Sequence, residues 1–164
     1  MKIVTGYKGA PHISSNDQQA FNQAIFGSDN YVLNVGNKFS ATLSDVNTVT
    51  IADGEGLLQG VHFRIGPGES NSVNISNGSV GMARKDLICA RYTKNVSTGV
   101  EDVELVVIQG EEDAYSATDP TYNTGDILSG DSPVDFPMYR VTLNGLTPTL
   151  TTLFNVVKLT VETV

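Results

Sequence analysis

Tryptophan is absent from this chain and cysteine occurs once. A single thiol excludes an internal disulfide framework and leaves the redox compartment open. Cys89 lies between Ile88 and Ala90 in an apolar run, the setting of a buried, inert thiol rather than of a nucleophile. The two histidines, His12 and His62, have no His-x-x-x-His spacing and no cysteine pair beside them, so no metal site is expected. Positive charge is scarce: 10 Lys and Arg stand against 18 Asp and Glu, a net charge of −8. Nucleic-acid binding needs a basic footprint to displace counterions, and an acidic surface disfavours anionic membranes, so neither partner is expected. No run of residues approaches the length of a membrane span. Met1-Lys2-Ile3-Val4-Thr5-Gly6 has no apolar core of a signal peptide, and synthesis in the cytoplasm without a secretion signal is the expectation.

Catalytic signatures are missing as well. Gly54-Glu55-Gly56 followed by Gly60 misses the dinucleotide-binding spacing and opens no helix. There is no phosphate-cradling P-loop and no Gly-x-Ser-x-Gly elbow. No two acids are placed by sequence logic as a glycosidase pair. Glu111-Glu112-Asp113 lacks the EF-hand pattern and reads as a solvated loop. Neither a cofactor nor an enzymatic activity is expected.

What the chain does have is alternation. Tyr31, Leu33 and Val35, then Phe39, Ala41 and Leu43, Val49 and Ile51, Val61, Phe63 and Ile65, and Val73 and Ile75 recur every second residue among polar neighbours. That is the period of strands with one face in a core and one in water. Gly36-Asn37, Asp45 to Asn47, Asp53-Gly54, Gly66-Pro67-Gly68 and Asn77-Gly78 read as the turns between them. Asp86–Tyr92 and Val103–Ile108 are apolar on both faces, which predicts a long hairpin at the centre of a sheet. Residues 109–133 are polar and turn-rich, a loop long enough to be functional. Phe136 to Val141 return to a strand, Asn144-Gly145 and Pro148 break it, and Val157, Leu159 and Val161 predict a terminal amphipathic strand. The fold class expected is mainly β, an antiparallel β-sandwich or jelly-roll-like module with one short N-terminal helix. The division expected is an arm and helix over 1–27 and a single sandwich domain over 28–164.

The helix is predicted from about Asn16 to Phe26. Ser15-Asn16-Asp17-Gln18 resembles a capping box, and Gly27 suits the far end. Ala20, Phe21, Ala24 and Ile25 share one face, a small apolar stripe fit to dock on a sheet or on a neighbouring subunit. Arg84 and Asp86, two residues apart in a strand, point the same way. They read as a structural ion pair, with Arg140 or Glu104 as further partners, or as a charge pair at a subunit contact. Tyr7, Tyr115 and Tyr122 are the loop aromatics available to a sugar platform.

Several stretches together resemble a known group. They are Val4-Thr5-Gly6-Tyr7 with Gly9, Pro11-His12 and Ser15-Asn16-Asp17; Gln23-Ala24-Ile25-Phe26-Gly27; Tyr31-Val32-Leu33-Asn34-Val35-Gly36; Ile51-Ala52-Asp53-Gly54-Glu55-Gly56; Arg84 to Thr93; and Asp135-Phe136-Pro137-Met138-Tyr139-Arg140-Val141. In this order they resemble small tail or baseplate structural proteins of phages and prophages of Gram-positive bacteria, over about residues 4–145. Larger tail-fibre and receptor-binding proteins carry a similar module before their host-binding tip. The resemblance implies a structural role in the virion tail, contacts with other tail or baseplate proteins, a symmetric homo-oligomer with a trimer foremost, and no catalysis. Its Ala20, Phe21, Ala24, Ile25, Arg84 and Asp86 are then the candidate contacts. The alternative is a carbohydrate-binding β-sandwich for host-surface recognition, with Tyr115 and Tyr122 in its ligand loop.

Overall fold

In the computed structural model, residues 3–5, 9 and 12–159 are described. Most of the arm expected over 1–13, Tyr7 included, lies outside them. The helix α1 (Ser15–Phe26) starts one residue before the sequence pattern suggests. Ser14 is the N-cap: its Oγ accepts from the Asp17 N–H and the Asp17 carboxylate accepts from the Ser14 N–H, both at 3.1 Å.

The strands are β1 (Tyr31–Leu33), β2 (Ala41–Asp45), β3 (Thr48–Leu58), β4 (Val61–Asn74), β5 (Ala83–Lys94), β6 (Glu101–Ile108), β7 (Val134–Asn144), β8 (Thr147–Thr152) and β9 (Val156–Val157). They form two sheets packed face to face, a β-sandwich. In the first, β4 lines one edge of β3, while β2 and β1 lie end to end along the other. The strand β9 pairs in parallel with β1, so this sheet is not wholly antiparallel. The second sheet runs β6-β5-β7-β8 and is antiparallel throughout. Between the sheets, Val32, Val49, Ile51, Leu58 and Ile65 meet Ile88, Ala90, Tyr92, Phe136, Met138 and Val141. Each fully buried aliphatic or aromatic side chain of this set is worth roughly 1.5–3 kcal/mol over its exposed state. The Tyr139 hydroxyl crosses the core to donate to the Phe39 carbonyl at 2.8 Å.

Several sequence expectations are corrected. Asp53-Gly54 and Gly66-Pro67-Gly68 are not turns. They lie inside β3 and β4, which form one long hairpin with a register shift between Ala52 and Gly54. A glycine is needed there because a Cβ on Gly54 would stand 2.6 Å from the Phe39 backbone nitrogen. The runs at Val61–Ile65 and Val73 therefore belong to one strand, with Ile75 just past its end. The turn of this hairpin is Gln59-Gly60, with φ of 48° and 84°. Two central residues at positive φ give the type I′ geometry that matches strand twist.

The hairpin β5–β6 is only half central. β5 lies between β6 and β7, and β6 is an edge. Apolarity on both faces has a different cause in each strand. In β5 it reports enclosure: Ile88 and Ala90 face the core, while Leu87 and Cys89 are buried on the opposite face. In β6, Val103, Leu105, Val106, Val107 and Ile108 are all only half-buried. Pro148, read as a break, sits in β8, an edge strand where its missing N–H need cost no ladder bond. The terminal strand is shorter than expected: β9 stops at Val157, Leu159 is exposed, and Val161 lies outside the described residues.

Residues 109–133 form an ordered strap. The segment bridges Asp113 to Ala83 by reciprocal backbone bonds of 2.8 and 2.9 Å. Further along, Asp119 receives a two-pronged bond from Arg140. A 3-10 turn at Ile127–Ser129, capped by Asp126, precedes β7.

Candidate functional site

The helix holds to the sandwich through amides rather than through its apolar stripe. Gln19 and Gln23 donate from Nε2 to the Gln59 carbonyl at 2.8 and 2.7 Å, and Asn22 donates from Nδ2 to the Gly60 carbonyl at 2.8 Å. The approach is close: a Cβ on Gly60 would lie 2.6 Å from the Gln19 carbonyl oxygen. Gln59 is a node. Its N–H donates to Asn30 Oδ1, its Nε2 donates to the Gly125 carbonyl, and its Oε1 accepts from the Ile127 N–H. Helix, hairpin and strap thus meet at one residue. No periodicity could have singled it out, because each partner is distant in the chain.

This docking turns the stripe outward. Phe21 is 62% and Ile25 42% exposed, with Ala20 and Ala24 exposed beside them. Of the two roles the sequence allowed, packing on the chain's own sheet is not the one adopted.

Arg84 and Asp86 are paired as the shared strand face requires, in a bidentate bond of 2.9 and 3.0 Å with both side chains buried. The further partners differ from those expected. Arg84 also donates to the carbonyls of Ser76 and Asn77, and Glu112 lies 3.5 Å from its Nη1. Asp86 accepts the Gly110 N–H at 3.0 Å. Arg140 is engaged by Asp119, and Glu104 lies across the ladder from Arg91. The pair ties the loop after β4 and the start of the strap to β5, and neither side chain offers a surface to another subunit.

The acidic run is similarly occupied. Glu112 accepts from the Ser79 hydroxyl at 2.8 Å, and the Asp113 carboxylate accepts the N–H groups of Tyr115 and Ser116. Those backbone donors hold the Asp113 carboxyl below its usual range. Among the described residues no group of His, Cys, Asp or Glu has metal-binding geometry. Burial pushes the Cys89 thiol up to about 12, as expected for an inert sulfur. Among the described residues no helix is long and apolar enough to cross a membrane.

The two candidate tyrosines part company. Tyr115 is 97% exposed. Tyr122, at 45%, lines a pocket of about 370 Å³ with Asn30, Leu87, Asp119, Pro137, Arg140 and Leu153. Arg140 reaches Asp119 through Nε, at 2.5 Å, and through Nη2. The guanidinium holds the Asp119 carboxyl below its ordinary value, with burial opposing. At the start of β7, Asp135 is gripped by Arg91 at 2.7 and 3.0 Å and by the backbone and side-chain nitrogens of Asn123, each at 2.8 Å. Burial alone would raise the Asp135 carboxyl, but Arg91 and Asn123 outweigh it and the pKa falls. Asp119, bonded to Arg140, and Asn123, bonded to Asp135, thus fix the strap on either side of Tyr122. Sequence reasoning found Tyr122 from its loop position; it missed Asp119, Arg91 and Asp135, whose partners are set by tertiary register.

A second cleft, of about 330 Å³, lies where the edge strands β4 and β6 meet, between His62 and Arg64 on one side and Glu101 and Asp102 on the other. Glu55 holds both His62, at 2.6 Å, and Arg64, at 2.5 Å. The Tyr92 hydroxyl donates to Glu101 at 2.6 Å and, with Ser15, lowers that carboxyl's pKa.

No protein family and no curated protein matches this chain.

Proposed function

We propose that this chain is a structural component of a phage or prophage tail or baseplate, acting through protein–protein assembly and not through catalysis. The ordered resemblance over about residues 4–145 supports the class. The observation that carries assembly is the helix, anchored by its amides while Phe21 and Ile25 stand in solvent. Apolar side chains on a short helix, kept off the chain's own core, suit contact with another copy. A symmetric homo-oligomer, with a trimer foremost, places one such stripe at each contact, and other tail proteins are its further partners in the virion.

Light scattering coupled to size exclusion tests this on the intact chain and on Phe21→Glu and Ile25→Glu. A concentration-dependent oligomer that either variant dissociates into a monomer still folded by circular dichroism is the expected result. A monomer at every concentration sinks self-assembly, and an oligomer indifferent to both variants moves the contact off α1. Gene neighbourhood tests the class independently: tape-measure, tail and lysis genes on either side are expected, and metabolic neighbours would overturn it.

A further inference from the structure

We propose that the pocket beneath the strap is a binding site for a single neutral saccharide unit, with Tyr122 as its stacking platform and the Asp119–Arg140 pair as its diol reader. This inference does not depend on the assembly reading, since it concerns the far side of the second sheet and needs no second copy.

The pocket has the parts such a ligand needs. At about 370 Å³ it sits at the small end of ligand pockets, which run roughly 300–1,000 Å³. That suits one sugar ring better than a chain. Its floor is rigid, because Leu87 and Phe136 are buried members of the two central strands β5 and β7. Tyr122, Pro137 and Leu153 supply apolar surface for the C–H face of a sugar ring, and Tyr122 is exposed enough to be stacked upon.

The polar groups set the charge of the ligand. Arg140 uses Nε and Nη2 on Asp119, which leaves Nη1 to donate, and each Asp119 oxygen keeps a lone pair. A vicinal diol complements that pair, one hydroxyl donating to the carboxylate and its neighbour accepting from the guanidinium. Arg140 already neutralises the Asp119 carboxylate, and Lys85 lies within electrostatic reach of it, so a cation finds no free carboxylate and the hydrogen-bonding pair is complemented by a neutral diol. Asn30 adds a further polar group at the rim. Its Oδ1 is spent on the Gln59 N–H, and its Nδ2 makes no bond to a described residue.

The cleft between β4 and β6 is of similar size but offers no free platform: Tyr92 is buried with its hydroxyl committed to Glu101, and the Phe63 ring is stacked on Phe39 and set edge-on to Phe136. Tyr115 is exposed but does not line the pocket.

The test is a ¹⁵N amide NMR titration of the full chain. The probes are methyl glycosides of glucose, galactose, mannose and N-acetylglucosamine, with glucosamine as cation and N-acetylneuraminic acid as anion. At least one neutral glycoside is expected to bind at about millimolar strength, shifting the amides of Asn30, Asp119, Tyr122 and Leu153. Tyr122→Ala is expected to weaken it about tenfold or more. Tyr122→Phe should retain binding, and Tyr115→Ala should leave it unchanged. The substituted tyrosine is part-exposed, so its folding is checked by the undisturbed remainder of the spectrum. The proposal is overturned if no neutral glycoside shifts these amides, if a charged sugar is preferred, or if Tyr122→Ala binds as well as the parent.

Discussion

At the scale of the residue, Gln59 and Gly60 show how a two-residue turn can organise a molecule. Both have positive φ, where an L side chain is strained and glycine is not. Gly60 has a second reason to lack a side chain, the Gln19 carbonyl facing it. Gly60→Ala therefore meets both strain and a backbone clash, and is expected to cost about 2–3 kcal/mol, read as a fall in the urea midpoint. Gln59→Gly is the informative companion. It relieves the strained φ but deletes the side-chain bonds to Gly125 and Ile127 while keeping the carbonyl that anchors α1. Amide exchange should then rise in residues 125–129 and stay slow in the helix. Uniform loosening of both would show that the strap depends on the helix rather than on this side chain. None of this was legible beforehand. A glycine marks a turn, a bulge and a close approach with the same letter, which is why Gly54 was misread and the Gln59-Gly60 turn went unnoticed.

At the scale of the element, alternation revealed the strands because most have one face in the core and one in water. It could not distinguish β5 from β6. Both are apolar on two faces, yet only β5 is enclosed, and the difference lies in a neighbour, β7, that arrives some forty residues later in the chain. The consequence can be measured. Ile88→Asp places a carboxylate in the closed core and is expected to abolish cooperative folding, at a cost of several kcal/mol comparable to the whole stability margin. Leu105→Asp, on the half-buried edge, should be tolerated as a folded protein with a lower melting temperature, since the new charge can reach water. Equal loss of folding in the two variants would mean that β6 is as enclosed as β5. The helix teaches a related lesson. Its apolar stripe was plain in the sequence, but its orientation was not, because the amides of Gln19, Asn22 and Gln23 compete for the sheet and win through bonds to a turn that exposes two carbonyls.

At the scale of the whole molecule, the strap is held by carboxylates, and that gives the protein an acid limit. The pKa values of Asp135 and Asp119 are depressed in the folded state, as is that of Glu101, which links β6 to Tyr92 and to the start of α1. A depressed carboxyl contributes stability that is complete above its unfolded pKa, about 4, and is lost as pH falls through the lower folded value. The melting temperature is thus expected to be level from neutrality to about pH 5 and to drop below pH 4. Asp135→Asn should lower it at neutrality by the equivalent of about 3 kcal/mol, because Arg91 loses its hydrogen-bonded carboxylate and keeps only the more distant Glu104, and should flatten the acid limb. An acid limb identical to the parent's would assign the limit to other groups. The edge of the second sheet, where β6 runs with no described strand hydrogen-bonded beyond it, carries a liability of another kind. Its row of unpaired peptide groups is a template on which further chains could stack as a growing ribbon. Asp102 and Glu104 project from that strand into water, within a chain whose net charge is −8. Like charges brought into register at every added rung repel one another, so these acids act as gatekeepers, and the protein's surplus of negative charge keeps that edge available without letting it propagate.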